Sequence, residues 1–283
     1  GEGEGEGEGE GEGEGEGEGE GEGEGGFGPV VYVDRSNTSG PWDGASWETA
    51  FQRIQEGIDA ASTHRVYEVW VAEGVYAETR STMVPQPPDG EMNTGSLFLR
   101  EGVAVYGGFD GSETVLAQRD WREHPSTIDG LLARDGASAY HVVIAEDGAL
   151  MDGFVVVGGR ADGPGALSRG GGLYCGGAMV NVAHCRFVRN EAVEGAAVYC
   201  ATDYPTFSAC VFEGNTASAT GGGIYLAGGF ATLTNCVFAS NTAGRGAGVL
   251  NDASAPALTN CSFANNTAAI GGGAVANLNS SHP

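Results

Sequence analysis

Basic side chains are scarce in this chain of 283 residues, with 13 set against 38 acidic ones and a formal net charge of −25. Twelve of the acids belong to a strict Gly-Glu alternation over residues 1–25, and without them 26 acids still face 13 bases, a charge of −13. An acidic body argues against nucleic acid and against anionic membrane surfaces as partners. No apolar run approaches the roughly 18 residues of a transmembrane helix. The six cysteines show no CxxC or Cys/His spacing, which removes zinc. Helical periodicity is nearly absent as well. It is confined to Phe51, Ile54, Ile58 and Ala61, which form one apolar stripe and predict a helix over 47–61 with Ser46 as N-cap. A strand over Val66–Val71 follows it.

What the chain has instead is a beat. Cys185, Cys210, Cys236 and Cys261 are spaced by 25, 26 and 25 residues. Phe187, Phe212, Phe238 and Phe263 follow them by two residues, and Asn190, Asn215, Asn241 and Asn266 by five. Glycine-led segments open at Gly170, Gly195, Gly221, Gly246 and Gly271. A fixed period of this length is the mark of a solenoid, each repeat one layer of a stack. The apolar runs are too short for helices and suit strands bounded by turns. A leucine lattice is missing, and helical repeats do not tolerate this much glycine. Three short strands per coil would stack equivalent residues about 4.8 Å apart. Alternation points Leu233, Cys236 and Phe238 inward and leaves Asn235 at a bend, where asparagine tolerates left-handed angles. The Cys and Phe columns are therefore structural core, filled by buried thiols and stacked rings, and the Asn column is a structural turn. A Cys175–Cys200 disulfide is the alternative for the second cysteine column.

The repeats GGGLYC…HCRFVRNEA, GAAVYC…ACVFEGNTA, GGGIYL…NCVFASNTA and GAGVLN…NCSFANNTA resemble the right-handed parallel β-helix family, the pectin-lyase-like architecture. Their GG[GA]I and FxxN words are also similar to those of chlamydial polymorphic outer-membrane proteins. Upstream, VYVDRSNTSGPWDGASWETAFQRIQEGIDAA, VWVAEGVYAE and VYGGFDGSETVLAQRDWREHPSTIDG resemble the opening coils of secreted bacterial β-helix proteins. The resemblance covers roughly residues 29–283 and implies an all-β, right-handed parallel β-helix solenoid of about 25 residues per coil with an N-terminal α-helical cap. The domain reading is a disordered Gly-Glu linker over 1–26 and a β-helix domain over 27–283. Within the latter, 29–71 is the cap, 72–169 irregular coils and 170–283 regular repeats, with further coils or another domain expected beyond the C-terminus. Loops at 77–96 and 159–169 are expected to protrude.

The resemblance is specific for fold and not for activity. An Asp-Asp pair followed by Gly-His-Gly, as in polygalacturonases, is absent, and so is the Arg-x-Pro-x-x-Arg of classical pectate lyases. GVYAE at 74–78 resembles a pectin methylesterase opening word but lacks its QAV, QDT and DFIFG partners. Two constellations remain. One is a bend column reading Asp129, Asp152, His184, Ala209, Asn235, Asn260, in which stacked carboxylates would suit glycoside chemistry or a shared calcium ion. The other is an outward ladder of Tyr174, Tyr199 and Tyr225 offering flat faces to sugar rings. The favoured expectation is a secreted or surface-anchored, non-catalytic protein that contacts glycans, carries no cofactor and could be lipid-anchored at an outer membrane. The alternatives are a polysaccharide lyase or hydrolase using Asp129, Asp152 and His184, with calcium as its possible cofactor, and a structural spacer that associates end to end.

Overall fold

The computed structural model describes residues 1, 29–80, 95–201 and 204–279. The Gly-Glu leader, most of the 77–96 loop and the extreme C-terminus, with the expectations attached to them, lie outside the described residues. The rest of the chain winds into coils whose strands pair in parallel with their counterparts one coil away. Sheet one has eight strands, from Val30–Val33 to Ala257–Thr259. Sheet two has seven, from Gly74–Tyr76 to Ser262–Ala264. Sheet four also has seven, from Leu97–Leu99 to Val275–Leu278. Between sheets two and four the regular coils add a short sheet three of five strands, from Arg160–Ala161 to Thr267–Gly271. The expected three strands per coil are therefore four. The extra strand forms because Ala161, Ala192, Ala217 and Ala243 turn inward there and pack as a separate, small-residue cluster.

The repeat columns are the interior. Phe187, Phe212 and Phe238 are fully buried, and their ring centroids lie 5.4 and 4.7 Å apart with planes within 11° of each other. Phe263 continues the stack at 4.9 Å and is half-buried. All six cysteines are free thiols. Cys175 and Cys200 face each other in register without a bond. Burial pushes Cys185 up to about 12 and Cys200 well above an ordinary thiol, so both are chemically quiet.

The asparagine column does more than turn the chain. The Asn215 amide donates to the Phe187 carbonyl at 3.0 Å and to Asn241 Oδ1 at 3.0 Å, while the Asn215 backbone N–H donates to the same oxygen at 3.0 Å. Asn190 and Asn241 repeat the pattern toward Asn215 and Asn266. Each coil thus lends a side-chain carbonyl to the coil before it.

The helix runs Ile54–His64, shorter at its start than expected. Residues 47–53 are not helical because Phe51 bridges Val33 in parallel, its N–H donating to the Tyr32 carbonyl at 3.0 Å. Ser46 is therefore no cap; the capping position is Arg53, which makes no side-chain cap bond. The second strand is Glu68–Ala72. Ile54, Ile58 and Ala61 bury against Val31, Val33 and Val69. Gln55 reaches the edge strand of sheet four, where its amide accepts from the Phe98 N–H at 2.7 Å and donates to the Phe98 carbonyl at 3.2 Å. A side chain thereby satisfies backbone groups that would otherwise invite another strand. Among the described residues, no helix is long and apolar enough to cross a membrane.

Truncating Phe238 to Ala removes one ring from a packed stack and should cost about 3–5 kcal/mol in urea unfolding. Replacing Asn215 by Ala takes the amide partner from the Phe187 carbonyl and from the Asn190 N–H on the preceding coil, while Asn241 Oδ1 keeps the residue-215 backbone N–H. It should cost about 1–3 kcal/mol for each group left unpaired, a loss readable in the same experiment.

Candidate functional site

Every regular coil turns two left-handed corners. The first, between sheets one and two, is made by His184, Ala209, Asn235 and Asn260, all with φ between 50° and 56°. Strand register sets Asp152 beside Ala183, so Gly153, with φ 84°, is the counterpart of His184. Phe154 is accordingly the counterpart of Cys185. Asp152 sits one place before the bend rather than on it. Asp129 is not in this column at all. It ends a strand of sheet two and pairs with Val157. There its carboxylate accepts the Leu131 N–H at 2.8 Å and its carbonyl accepts from Arg80 at 2.7 Å. The expected Asp129–Asp152 pair is therefore not formed, and neither a two-carboxylate glycosidase site nor a shared calcium ligand set exists between them.

Asp152 and His184 do meet. His184 Nδ1 donates to Asp152 Oδ1 at 2.9 Å. The other oxygen of Asp152 is taken by Arg119 Nη2 at 2.8 Å. Arg119 arrives on the excursion from 110 to 125, which leaves sheet one after Phe109 and rejoins sheet two at Ser126. A 3-10 turn over Leu116–Gln118 folds the excursion back onto the coil. Arg119 Nη1 then donates to the carbonyls of Gly107 at 2.9 Å and Asp152 at 3.2 Å. Its guanidinium lies 5.1 Å from the ring centroids of both Tyr106 and Trp121. Trp121 in turn packs on the His184 ring, centroids 4.2 Å apart at 34°. The side chains of Arg119, Asp152 and His184 are 7%, 12% and 34% exposed, so the chain of contacts runs from interior to surface.

This chain of contacts opens on a cleft of about 320 Å³ lined by Trp121, Arg122, His184, Arg186 and Val211. Arg186 donates to Glu213 at 3.1 Å, and Arg122 rests 5.8 Å from the Trp121 ring. With Nδ1 committed to Asp152, any chemistry at His184 falls to Nε2. Arg119, Trp121 and Arg186 were not singled out from the sequence. The first two lie in a non-repeating excursion, where period carries no information.

The tyrosine ladder exists but is covered. Ring centroids are 5.8 Å apart for Tyr174–Tyr199 and 5.1 Å for Tyr199–Tyr225. Tyr199 and Tyr225 are only 5% and 8% exposed. Arg169, held by Glu194 at 2.9 Å, lies 5.1 Å from the Tyr199 ring, and the Tyr225 hydroxyl donates to Asp252 at 2.7 Å. These rings are not free to receive a sugar face.

A second depression, of about 610 Å³, lies at the first coils and is lined in part by Asp34, Arg35, Glu73 and Asp110. His124 Nδ1 contacts Glu73 at 3.1 Å. Among the described residues, no three His, Cys, Asp or Glu side chains converge to hold a metal ion.

Residues 134–282 match the family described as right handed beta helix region, and the chain belongs to that family. A pectin methylesterase from Aspergillus niger is a solved structure similar to it, with 13% sequence identity, 86% of each chain covered and a TM-score of 0.38. No curated protein sequence matches the chain.

The hydrogen bond to Glu73 raises the pKa of His124 above its ordinary value, assisted by the negative charges of Glu73, Asp110 and Glu113. A raised folded-state pKa means that this contact stabilises the protein below the unfolded His value of about 6.5 and loses that contribution as pH rises through the folded value. An NMR titration should place His124 above about 6.5, and Glu73→Gln should bring it back down.

Proposed function

We propose that the protein is a secreted or surface-anchored, non-catalytic β-helix that binds an acidic glycan at the cleft beside Trp121, His184 and Arg186. The observation that carries this reading is the Arg119–Asp152–His184 chain, which runs from the interior to the cleft. Both oxygens of Asp152 are already filled, by a guanidinium and by an imidazole N–H. The carboxylate therefore fixes the His184 ring against Trp121. An indole face suits the apolar face of a sugar ring. Arg122 and Arg186 supply positive charge in a body that is otherwise acidic, and guanidinium forks match carboxylates. The Arg186–Glu213 pair is exposed on both sides, at 54% and 47%, so an incoming carboxylate displaces it at small cost.

A second reading is supported by the same Nδ1–Asp152 bond. A carboxylate that orients imidazole leaves Nε2 placed to accept a proton. Elimination across a uronide would need that base, and a cation to neutralise the sugar carboxylate. Arg122 or Arg186 would serve. Isothermal titration with oligomers of polygalacturonate and of alginate separates the readings when combined with ultraviolet absorbance, which grows as unsaturated uronides form. Binding should occur and weaken at least about tenfold in Trp121→Ala and in Arg186→Ala, without growth in absorbance. Growth that disappears in His184→Ala would replace the binding reading with the lyase reading. Absence of binding by either oligomer would remove both.

A further inference from the structure

Sheet one has two borders. The cleft lies where its strands end. Where they begin, at the loops entering from sheet four, Met179, Tyr204 and Phe230 stand on three successive coils. Backbone bonds fix their equivalence: the Thr206 N–H donates to the Val180 carbonyl at 2.9 Å and the Thr232 N–H to the Pro205 carbonyl at 3.0 Å. The residue just before each of those positions points outward. Met179 is 46% exposed, and Tyr204 and Phe230 are each 57% exposed. The two rings nonetheless stack, with centroids 5.8 Å apart and planes at 21°. The Met179 N–H donates to the Asp147 carboxylate at 2.8 Å, which fixes the backbone at that position.

Two steps along each strand runs a polar column of Asn181, Thr206 and Thr232, paired in register. The Thr206 hydroxyl donates to the Asn181 side-chain oxygen at 2.6 Å. None of these six side chains is charged. A flat apolar rail therefore runs beside a row of hydroxyl and amide groups, and both follow the solenoid axis.

We infer that this rail is a second ligand site, for a neutral, linear glycan lying along the axis. Pyranose rings present a flat, C–H-rich face and a hydroxyl-rich edge, which match the rail and the polar column respectively. Coils repeat about every 4.8 Å, close to the length of one sugar ring, so successive rings meet successive coils. The absence of charge on these six residues selects a neutral chain over an acidic one. A protein partner fits poorly, because a stable interface buries about 800 Å² per partner and this rail is a single file of three apolar side chains. The inference does not rest on the cleft: the ligand class differs, and the two sites share no residue.

The test is isothermal titration of the full chain with cellohexaose, xylohexaose and mannohexaose, and with the shorter members of each series. At least one series should bind, with affinity rising from the disaccharide to the trisaccharide and then levelling off as the rail is filled. Tyr204→Ala/Phe230→Ala should weaken that binding at least about tenfold while the β-sheet circular dichroism is unchanged. Phe230→Tyr should bind like the parent, and so should Trp121→Ala. Failure of all three series to bind would overturn the inference, as would a doubly substituted protein that binds normally. A self-associating parent whose oligomer dissociates in the double variant would overturn it too, by showing that the rail meets another copy of the chain.

Discussion

The buried asparagine ladder is the constraint on which the other columns depend. A parallel stack pairs strand to strand, but the corners between strands leave backbone groups that no ladder reaches, and buried groups of this kind must be satisfied. Asn190, Asn215 and Asn241 meet that demand from inside, each amide bonding a carbonyl of the previous coil and the side-chain oxygen of the next. The geometry works only if the chain crosses closely behind. A Cβ on Gly223 would come within 2.4 Å of the Gly248 carbonyl and 2.9 Å of the Phe238 ring. The Asn and Phe columns and the small-residue column of Gly172, Ala197, Gly223, Gly248 and Ala274 are thus one device: the amide fixes the corner, the ring fills the space inside it, and a small residue lets the wall close over both. A residue period shared by three unrelated side-chain types is what such a device requires.

That interdependence explains what could be read from the sequence. The inward Cys and Phe positions, the left-handed bend at Asn235 and the solenoid itself follow from periodicity, because each layer repeats the same contacts. The Asp column failed for a physical reason. Each coil has two left-handed corners, one holding Gly153, His184, Ala209, Asn235 and Asn260, the other holding Gly158, Arg189, Gly214, Ser240 and Asn265. Only one of the two Asp-Gly pairs turns such a corner, because Gly153 takes a left-handed φ and Gly130 does not. Asp152-Gly153 occupies the first, while Asp129 pairs with Val157 just ahead of the second. The two dipeptides look alike and lie on different sides of the coil. The aromatic ladder shows a related limit. Alternation correctly turned Tyr174, Tyr199 and Tyr225 outward, but direction is not exposure. Arg169 and Glu194 cover that face from flanking segments. Exposed rings occur instead on the loops entering sheet one, where no strand alternation marks them.

The site also departs from the repeat, as function carried on a rigid scaffold commonly does. Arg119 and Trp121 come from the 110–125 excursion, and His184 belongs to the first regular coil that the excursion reaches. Residues 162–168 make a similar departure on another side, standing where the next coil has Val193 alone. The stack supplies fixed points, and the insertions bring side chains to them that the repeat does not encode.

Taking Arg119 and Asp152 largely out of water carries a desolvation cost that such pairs often fail to recover, so the pair is weak evidence for stability. Its geometry argues for position. Arg119 binds two backbone carbonyls from neighbouring strands of sheet one as well as the carboxylate, which locks the excursion to the coil. Asp152 spends its remaining oxygen on the imidazole, which fixes the tautomer and the ring plane. Trp121, two residues beyond Arg119, is then held against that plane. Removing the carboxylate would leave a guanidinium 7% exposed without its anion and would free both rings at once. A buried charge that orients two surface rings is an arrangement for shape at the cleft, because the rings, not the charge, line its wall.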